Sequence, residues 1–261
     1  MPKRKLERFH VGESSFVVLP EFSDVFKSVP WKLPKPIRLV GKTFNRVERT
    51  RIDDEHALVF KSGTSRSVSR EFKNYLILNS LGLKSVKTLY PAGYQLEKGR
   101  GFLYTVLEEG VIPLRSINFQ GLKRDERRKS ISRCAELIAE LHSRGITHND
   151  LKLKNILYHP KTNDYFIVDV SRMNRSQKEP SERARFYDLL TFLGNSKFHG
   201  LIEKKRDVNH FLEQYLRFMN GSKTVSAGRM GEKRRKTFQK LREHLQTHST
   251  DKNIMNLLGF I

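Results

Sequence analysis

The stretch ITHNDLKLKNIL at residues 146–157, followed by FIVDV at 166–170, concentrates side chains that could do chemistry. Asp150 falls in a loop directly after a helical pattern. Asn155 comes five residues later, and Asp169 closes the second of two short strand-like runs. Phosphoryl transfer needs such a set: a carboxylate to orient an acceptor hydroxyl, and oxygen donors to hold Mg2+ against the phosphates. A hairpin between Asn155 and Asp169 would bring those two together and leave Asp150 at the mouth. The plainer alternative is a surface loop with a chance His-x-Asp and a structural Asp. Order, spacing and the helix–loop–strand context favour the chemical reading.

The elements that must position these groups are legible from periodicity. Arg124 to Arg144 reads as an amphipathic helix with Ile131, Cys134, Leu137, Ile138 and Leu141 on one face and Gly145 as its stop. Short strands are expected near Ile156–Tyr158 and Tyr165–Val168, and helices over Ser181–Leu193 and Val208–Met219. Earlier in the chain, Val47 to Lys61 predicts a hairpin turning at Asp53-Asp54-Glu55. Ser67 to Leu81 predicts a helix with a Phe72, Tyr75, Leu76, Leu78 stripe ending at Gly82. GFLYTVLEEG at 101–110 reads as a strand and turn. Strands early and helices late predict an α+β fold of two lobes, with a hinge near Glu109-Gly110. The expected division is a basic, proline-containing arm over 1–36, with PWKLPKP extended at its end, a first lobe over 37–110 and a second over 111–261.

HNDLKLKN resembles the catalytic loop H-R-D-L-x-x-x-N of protein kinases, and Asp169 sits where the metal-binding Asp of D-F-G would fall. The resemblance implies a protein-kinase-like fold that uses ATP and Mg2+. It makes Asp150 the catalytic carboxylate and Asn155 and Asp169 the metal ligands, with Lys152 beside the transferring phosphate. His148 is then a brace for the loop. Asn149 replaces the arginine that pairs with a phosphorylated activation loop, which argues against activation by that route. Lys61, at the end of the hairpin, matches the ATP-phosphate lysine, and Glu71 at the start of the next helix matches its ion-pair partner. Glu108, Glu109 and Gly110 would present backbone groups to adenine. No G-x-G-x-x-G precedes Lys61; the phosphate-covering turn would fall near Gly41–Arg46. GKT at 41–43 is not a P-loop, because the first glycine of that motif would have to stand at Pro36.

Asp169 is followed by Val-Ser, no A-P-E follows, and little chain separates it from the next helix. That leaves scant room for a peptide-docking segment. REFKNYLILNSLGL, HNDLKLKNIL, VDVSR, RARFYDLL and FLEQYL together resemble the lipopolysaccharide core kinases of the Kdo/heptose kinase type. This resemblance implies phosphorylation of a sugar hydroxyl on the lipopolysaccharide inner core, and makes Asp188 a structural residue beneath the catalytic loop. Alternatives are a minimal protein kinase, a small-molecule kinase of the aminoglycoside or choline phosphotransferase type, and a non-enzymatic basic module binding nucleic acid or membrane.

Composition fits an anionic partner. The 261 residues carry 50 Lys and Arg against 28 Asp and Glu, a formal charge of +22, and such a surface attracts polyanions. An anionic membrane surface is the expected partner beside ATP and the acceptor, and nucleic acid is a further polyanion the charge accommodates. A single cysteine, Cys134, rules out an intramolecular disulfide and is expected to be buried and inert. With no signal-peptide pattern and no spanning segment, the expectation is a cytoplasmic protein; the family resemblance implies a place at the cytoplasmic face of the inner membrane, and the expected state is a monomer.

Overall fold

The computed structural model describes residues 6–11, 14–23, 47–51, 56–97 and 100–219, together with positions 232, 235–237, 239–240 and 243. The chain divides into two compact units. One comprises Met1–Gly82, Thr88–Val111 and Asp169–Ser171; the other comprises Leu83–Lys87, Ile112–Val168 and Arg172–Ile261.

The first unit is built on strands β1 (Glu7–Val11), β2 (Ser14–Val18), β3 (Val47–Arg51) and β4 (His56–Gly63), helix α1 (Ser65–Ser80), and strands β6 (Tyr90–Glu97) and β7 (Arg100–Glu108). The short β5 (Lys87–Thr88) precedes β6. The sheet runs β1-β2-β6-β7-β4-β3, every neighbouring pair antiparallel. Residues 7–18, counted above with a basic arm, instead supply two of its strands. Alternation explains why: Phe16 and Val18 join Leu58, Ala92 and Tyr104 in one buried cluster. Gly93 lies where β2 approaches β6, since a Cβ there would come within 2.7 Å of the Val18 side chain. PWKLPKP, the Asp53-Asp54-Glu55 turn and the Gly41–Arg46 segment lie outside the described residues.

Register aims the lysine. Lys61 pairs with Leu103, and Leu103 with Tyr94. These three share a face, and Phe72 of α1 packs edge-on against Tyr94 with ring centroids 5.0 Å apart. Helix α1 is capped by Thr64, whose hydroxyl accepts the Ser67 N–H, and it is followed by Gly82 at φ 56°. Its buried positions are Val68, Glu71, Phe72, Asn74, Tyr75 and Leu78. Leu76, expected in the stripe, is only half-buried, because it points about 100° away from Tyr75 around the helix. Glu71 lies in the second turn rather than at the helix start.

The second unit holds β8 (Ile112–Pro113), α2 (Arg124–Ser143), β9 (Ile146–Thr147), β10 (Ile156–His159), β11 (Asp164–Ile167), β12 (Asn174–Arg175), α3 (Glu182–Phe198) and α4 (Lys205–Met219). Helices α3 and α4 exceed the predicted spans, α3 by five residues at its C-terminal end. The apolar face foreseen for α2, including Cys134, is buried throughout, and burial pushes the Cys134 thiol far up. Asp125 and Glu126 occupy the first turn of α2, where the helix dipole favours them.

Gly145 ends α2 at φ 79°, its carbonyl accepting the Ser176 N–H at 2.9 Å. A Cβ there would stand 2.8 Å from the Lys178 carbonyl and closer still to that of Ser176. Gly145→Ala is therefore expected to cost about 2 kcal/mol or more, combining left-handed strain with the clash. A denaturant midpoint equal to wild type would show that the 176–178 segment yields at no cost.

Candidate active site

The segment after β9 is shaped by alternate burial. His148, Leu151 and Leu153 point inward and are buried, while Asn149, Asp150 and Lys152 stay partly accessible. A 3-10 turn over Leu153–Asn155 leads into β10. The Asn155 N–H donates to the Lys152 carbonyl at 2.8 Å, and the Asn155 carbonyl accepts the Val168 N–H at 3.0 Å. The loop and the end of the β10–β11 hairpin are thus tied by backbone hydrogen bonds.

Three predicted residues meet in this loop. Lys152 Nζ lies 2.6 Å from Asp150 Oδ1. Asn155 Nδ2 donates to the Asp150 carbonyl at 2.8 Å and to Oδ2 at 3.2 Å. Partial burial works to raise the Asp150 pKa, but the hydrogen bond and charge of Lys152, with Lys154 and Asn155, outweigh it and hold the carboxyl below its ordinary value. Asp150 is therefore an ionised acceptor at neutral pH. With Nδ2 turned to Asp150, the amide oxygen is the Asn155 atom a cation would take.

Beneath the loop, Asp188 of α3 accepts the His148 N–H and the Asn149 N–H, both at 2.7 Å. Two N–H bonds to a buried carboxylate fix the peptide planes just before Asp150. His142 of α2 reaches Asp188 Oδ2 at 3.3 Å through Nε2, and its Nδ1 meets the Tyr215 hydroxyl of α4 at 2.8 Å. One tautomer satisfies all three groups: Nε2–H donates to Asp188, and Nδ1 accepts from Tyr215. His148 accepts the Asp150 N–H on Nδ1 at 3.3 Å and faces the Val168 carbonyl with Nε2 at 2.9 Å, which is the geometry of a brace. Asn149 takes φ 61° and donates to Thr147 Oγ1 and the Arg172 carbonyl. Asn195 Oδ1 accepts the Leu153 N–H at 2.8 Å.

A second group forms within the first unit. Lys61 Nζ lies 2.9 Å from Glu71 Oε2 and 2.5 Å from Asp169 Oδ1. Burial alone would lower the Lys61 pKa, yet the Glu71 and Asp169 carboxylates overcome this and raise it. Glu71, only 2% exposed, is pushed up by burial and drawn back by Lys61. Asp169 lies two residues past β11 rather than at its end. It adopts φ 58°, with the Ser171 hydroxyl 3.3 Å from Oδ1. Glu108 ends β7 opposite His56, and the turn at Glu109-Gly110 follows, Gly110 at φ 83°.

Sequence reasoning found neither Asn195 nor the His142–Tyr215 pair, and saw Tyr75 only as an apolar stripe residue. Asn74 carried a signal: a polar side chain on the buried side of a helix must find a partner.

The fold is that of kinase-like phosphotransferases. Similar solved structures include one described as WaaP in complex with acyl carrier protein, with TM-score 0.55 and 20% identity over 77% of this chain and 87% of that one. Another is the aminoglycoside-3'-phosphotransferase of type VIII, with TM-score 0.51 and 15% identity over 72% of this chain and 92% of that one. No curated protein matches the sequence. The pattern of the lipopolysaccharide kinase (Kdo/WaaP) family matches residues 43–215, most of the chain. The chain belongs to this family, and as a kinase it uses ATP.

Proposed function

We propose that this protein transfers the γ-phosphate of ATP, with Mg2+, to a sugar hydroxyl of the lipopolysaccharide inner core, on a Kdo or heptose unit. The observation that carries the phosphotransfer reading is Lys61 held between Glu71 and Asp169. That arrangement fixes a cation for ATP phosphates and keeps a carboxylate beside it. The acceptor class rests on the family match. Asp169 and Asn155 each offer a hard oxygen, the donor chemistry Mg2+ prefers; once bound, the ion neutralises phosphate charge. Lys61 binds phosphate oxygens. Backbone groups of Glu108, Glu109 and Gly110 face adenine. Asp150, kept ionised, accepts the hydrogen bond of the acceptor hydroxyl and orients its lone pair toward phosphorus. Lys152, already within reach of Asp150, meets the charge developing on the transferred group. Purified protein with ATP, Mg2+ and lipid-linked inner-core acceptor should yield a phosphorylated sugar by mass spectrometry. Transfer to peptide or aminoglycoside, and none to the glycan, would refute the acceptor assignment.

The proposed location is the cytoplasmic face of the inner membrane, held reversibly by charge. No helix among the described residues is long and apolar enough to cross a membrane. Of the KRRK run, Arg235 and Lys236 are exposed, Lys236 pairing with Glu232 at 2.7 Å; Lys233 and Arg234 lie outside the described residues. Each Lys or Arg near an anionic leaflet contributes about 1 kcal/mol, screened within about 8 Å at physiological salt. Sedimentation with anionic vesicles should show binding that falls steeply with salt and weakens when residues 233–236 become Gln. Binding indifferent to salt would mean the charge serves another partner.

A further inference from the structure

We infer that Tyr75 and Asn74 are positioning residues for Asp169, and that through them α1 sets the protein's requirement for Mg2+. This rests on the kinase reading above. Asp169 holds φ 58°, a left-handed conformation that a non-glycine residue keeps only when its surroundings enforce it. The enforcement is visible on both sides of the residue. The Asp169 N–H donates to the Tyr75 hydroxyl at 3.2 Å, and Asn74 Nδ2 donates to the Val170 carbonyl at 2.6 Å.

Both side chains are costly where they stand. Tyr75 is 2% and Asn74 8% exposed, and a buried polar group destabilises unless its hydrogen bonds are made. A phenylalanine and a leucine would fill the same stripe without that cost. Both polar groups spend themselves on the two consecutive residues that begin with the carboxylate. Burial, with Glu71 nearby, pushes the Tyr75 phenol well above its ordinary pKa, so the group facing the Asp169 amide is a neutral hydroxyl. Glu71 lies one turn earlier on α1 and holds Lys61 at 2.9 Å. One helix therefore sets the Asp169 backbone through Asn74 and Tyr75, and its side chain through Glu71 and Lys61. Val170, where protein kinases have phenylalanine, is fully buried; a polar clasp does here what a large side chain would do by packing.

Tyr75→Phe keeps the ring and deletes only the hydroxyl; Asn74→Leu keeps the volume and deletes the amide. Two measurements on the full chain decide the matter. Amide exchange at Asp169 should speed up in Tyr75→Phe. The Mg2+ concentration for half-maximal ATP turnover should rise about three- to tenfold in each variant, the range that one hydrogen bond's net contribution spans. Turnover at saturating Mg2+ should change less. A purely structural role would lower the melting temperature and turnover without moving the Mg2+ midpoint, and that result overturns the inference. So does unchanged Asp169 amide exchange in Tyr75→Phe. A wild-type chain that turns over no ATP would overturn the kinase reading instead, and the exchange measurement would still decide whether Tyr75 holds the segment.

Discussion

Asp150→Ala is expected to cut phosphate transfer by about 10^3-fold or more, within the range a positioned acid–base group supplies, while leaving nucleotide binding intact. Asp150 is partly accessible, Lys152 can turn to water, and the buried Asn155 amide keeps its 2.8 Å bond to the backbone carbonyl of residue 150, so the fold should survive. Asp169→Ala should fail earlier in the cycle. It deletes a carboxylate that meets Lys61 at 2.5 Å and that the proposed mechanism makes a ligand of Mg2+, so Mg2+-dependent ATP binding should go with it. Calorimetric titration of both purified variants separates the two: Asp150→Ala keeps MgATP binding and Asp169→Ala loses it. Full transfer activity in either would end the assignment of these carboxylates.

The second large effect concerns Lys61. Lys61→Met should lower ATP turnover about 10^2-fold or more, as loss of a preorganised electrostatic donor does. It should also destabilise the protein, because Glu71 is left 2% exposed without its cation; an unsatisfied buried group costs about 1–3 kcal/mol. The pH dependence has a definite sign. Burial raises the Glu71 pKa, and Lys61 is what opposes it. A carboxyl whose folded pKa lies above its unfolded value favours folding at low pH, and that benefit is lost as pH rises through the folded pKa. The stability deficit of Lys61→Met should therefore shrink as pH is lowered toward the carboxylate range. Adding Glu71→Gln should recover most of the stability at neutral pH and none of the turnover. Recovered turnover in the double variant would show that the phosphate-binding lysine lies elsewhere.

What could be read from the sequence followed the range of the forces involved. Helix α2 and its buried face were visible because an apolar stripe repeats along one contiguous segment. The loop from His148 to Asn155 was visible because its chemistry depends on short spacing. Lys61 and Asp169, 108 residues apart, could be paired only by analogy to a known fold, since no local pattern records a long-range contact. Glu71 falls in the second turn because the Thr64 cap starts α1 at Ser65, two residues before the expected Ser67, and Lys61 meets it there at 2.9 Å. The β1–β2 hairpin was missed because its apolar residues are few and flanked by charge, and only pairing with β6 completes the pattern. Asn195 and the His142–Tyr215 pair left no signal: single polar residues on long helices acquire meaning only when the helices pack.

Asn149 stands where many protein kinases keep an arginine in wait for a phosphorylated side chain. Here the residue spends its amide on Thr147 and on the carbonyl of Arg172, while Asp188 takes its backbone N–H. The turn is closed by bonds to its own neighbours, and the side chain in the arginine's place carries no cation for a phosphate to meet. A phosphoryl group arriving at Asn149 would find a stitch already sewn rather than an open latch.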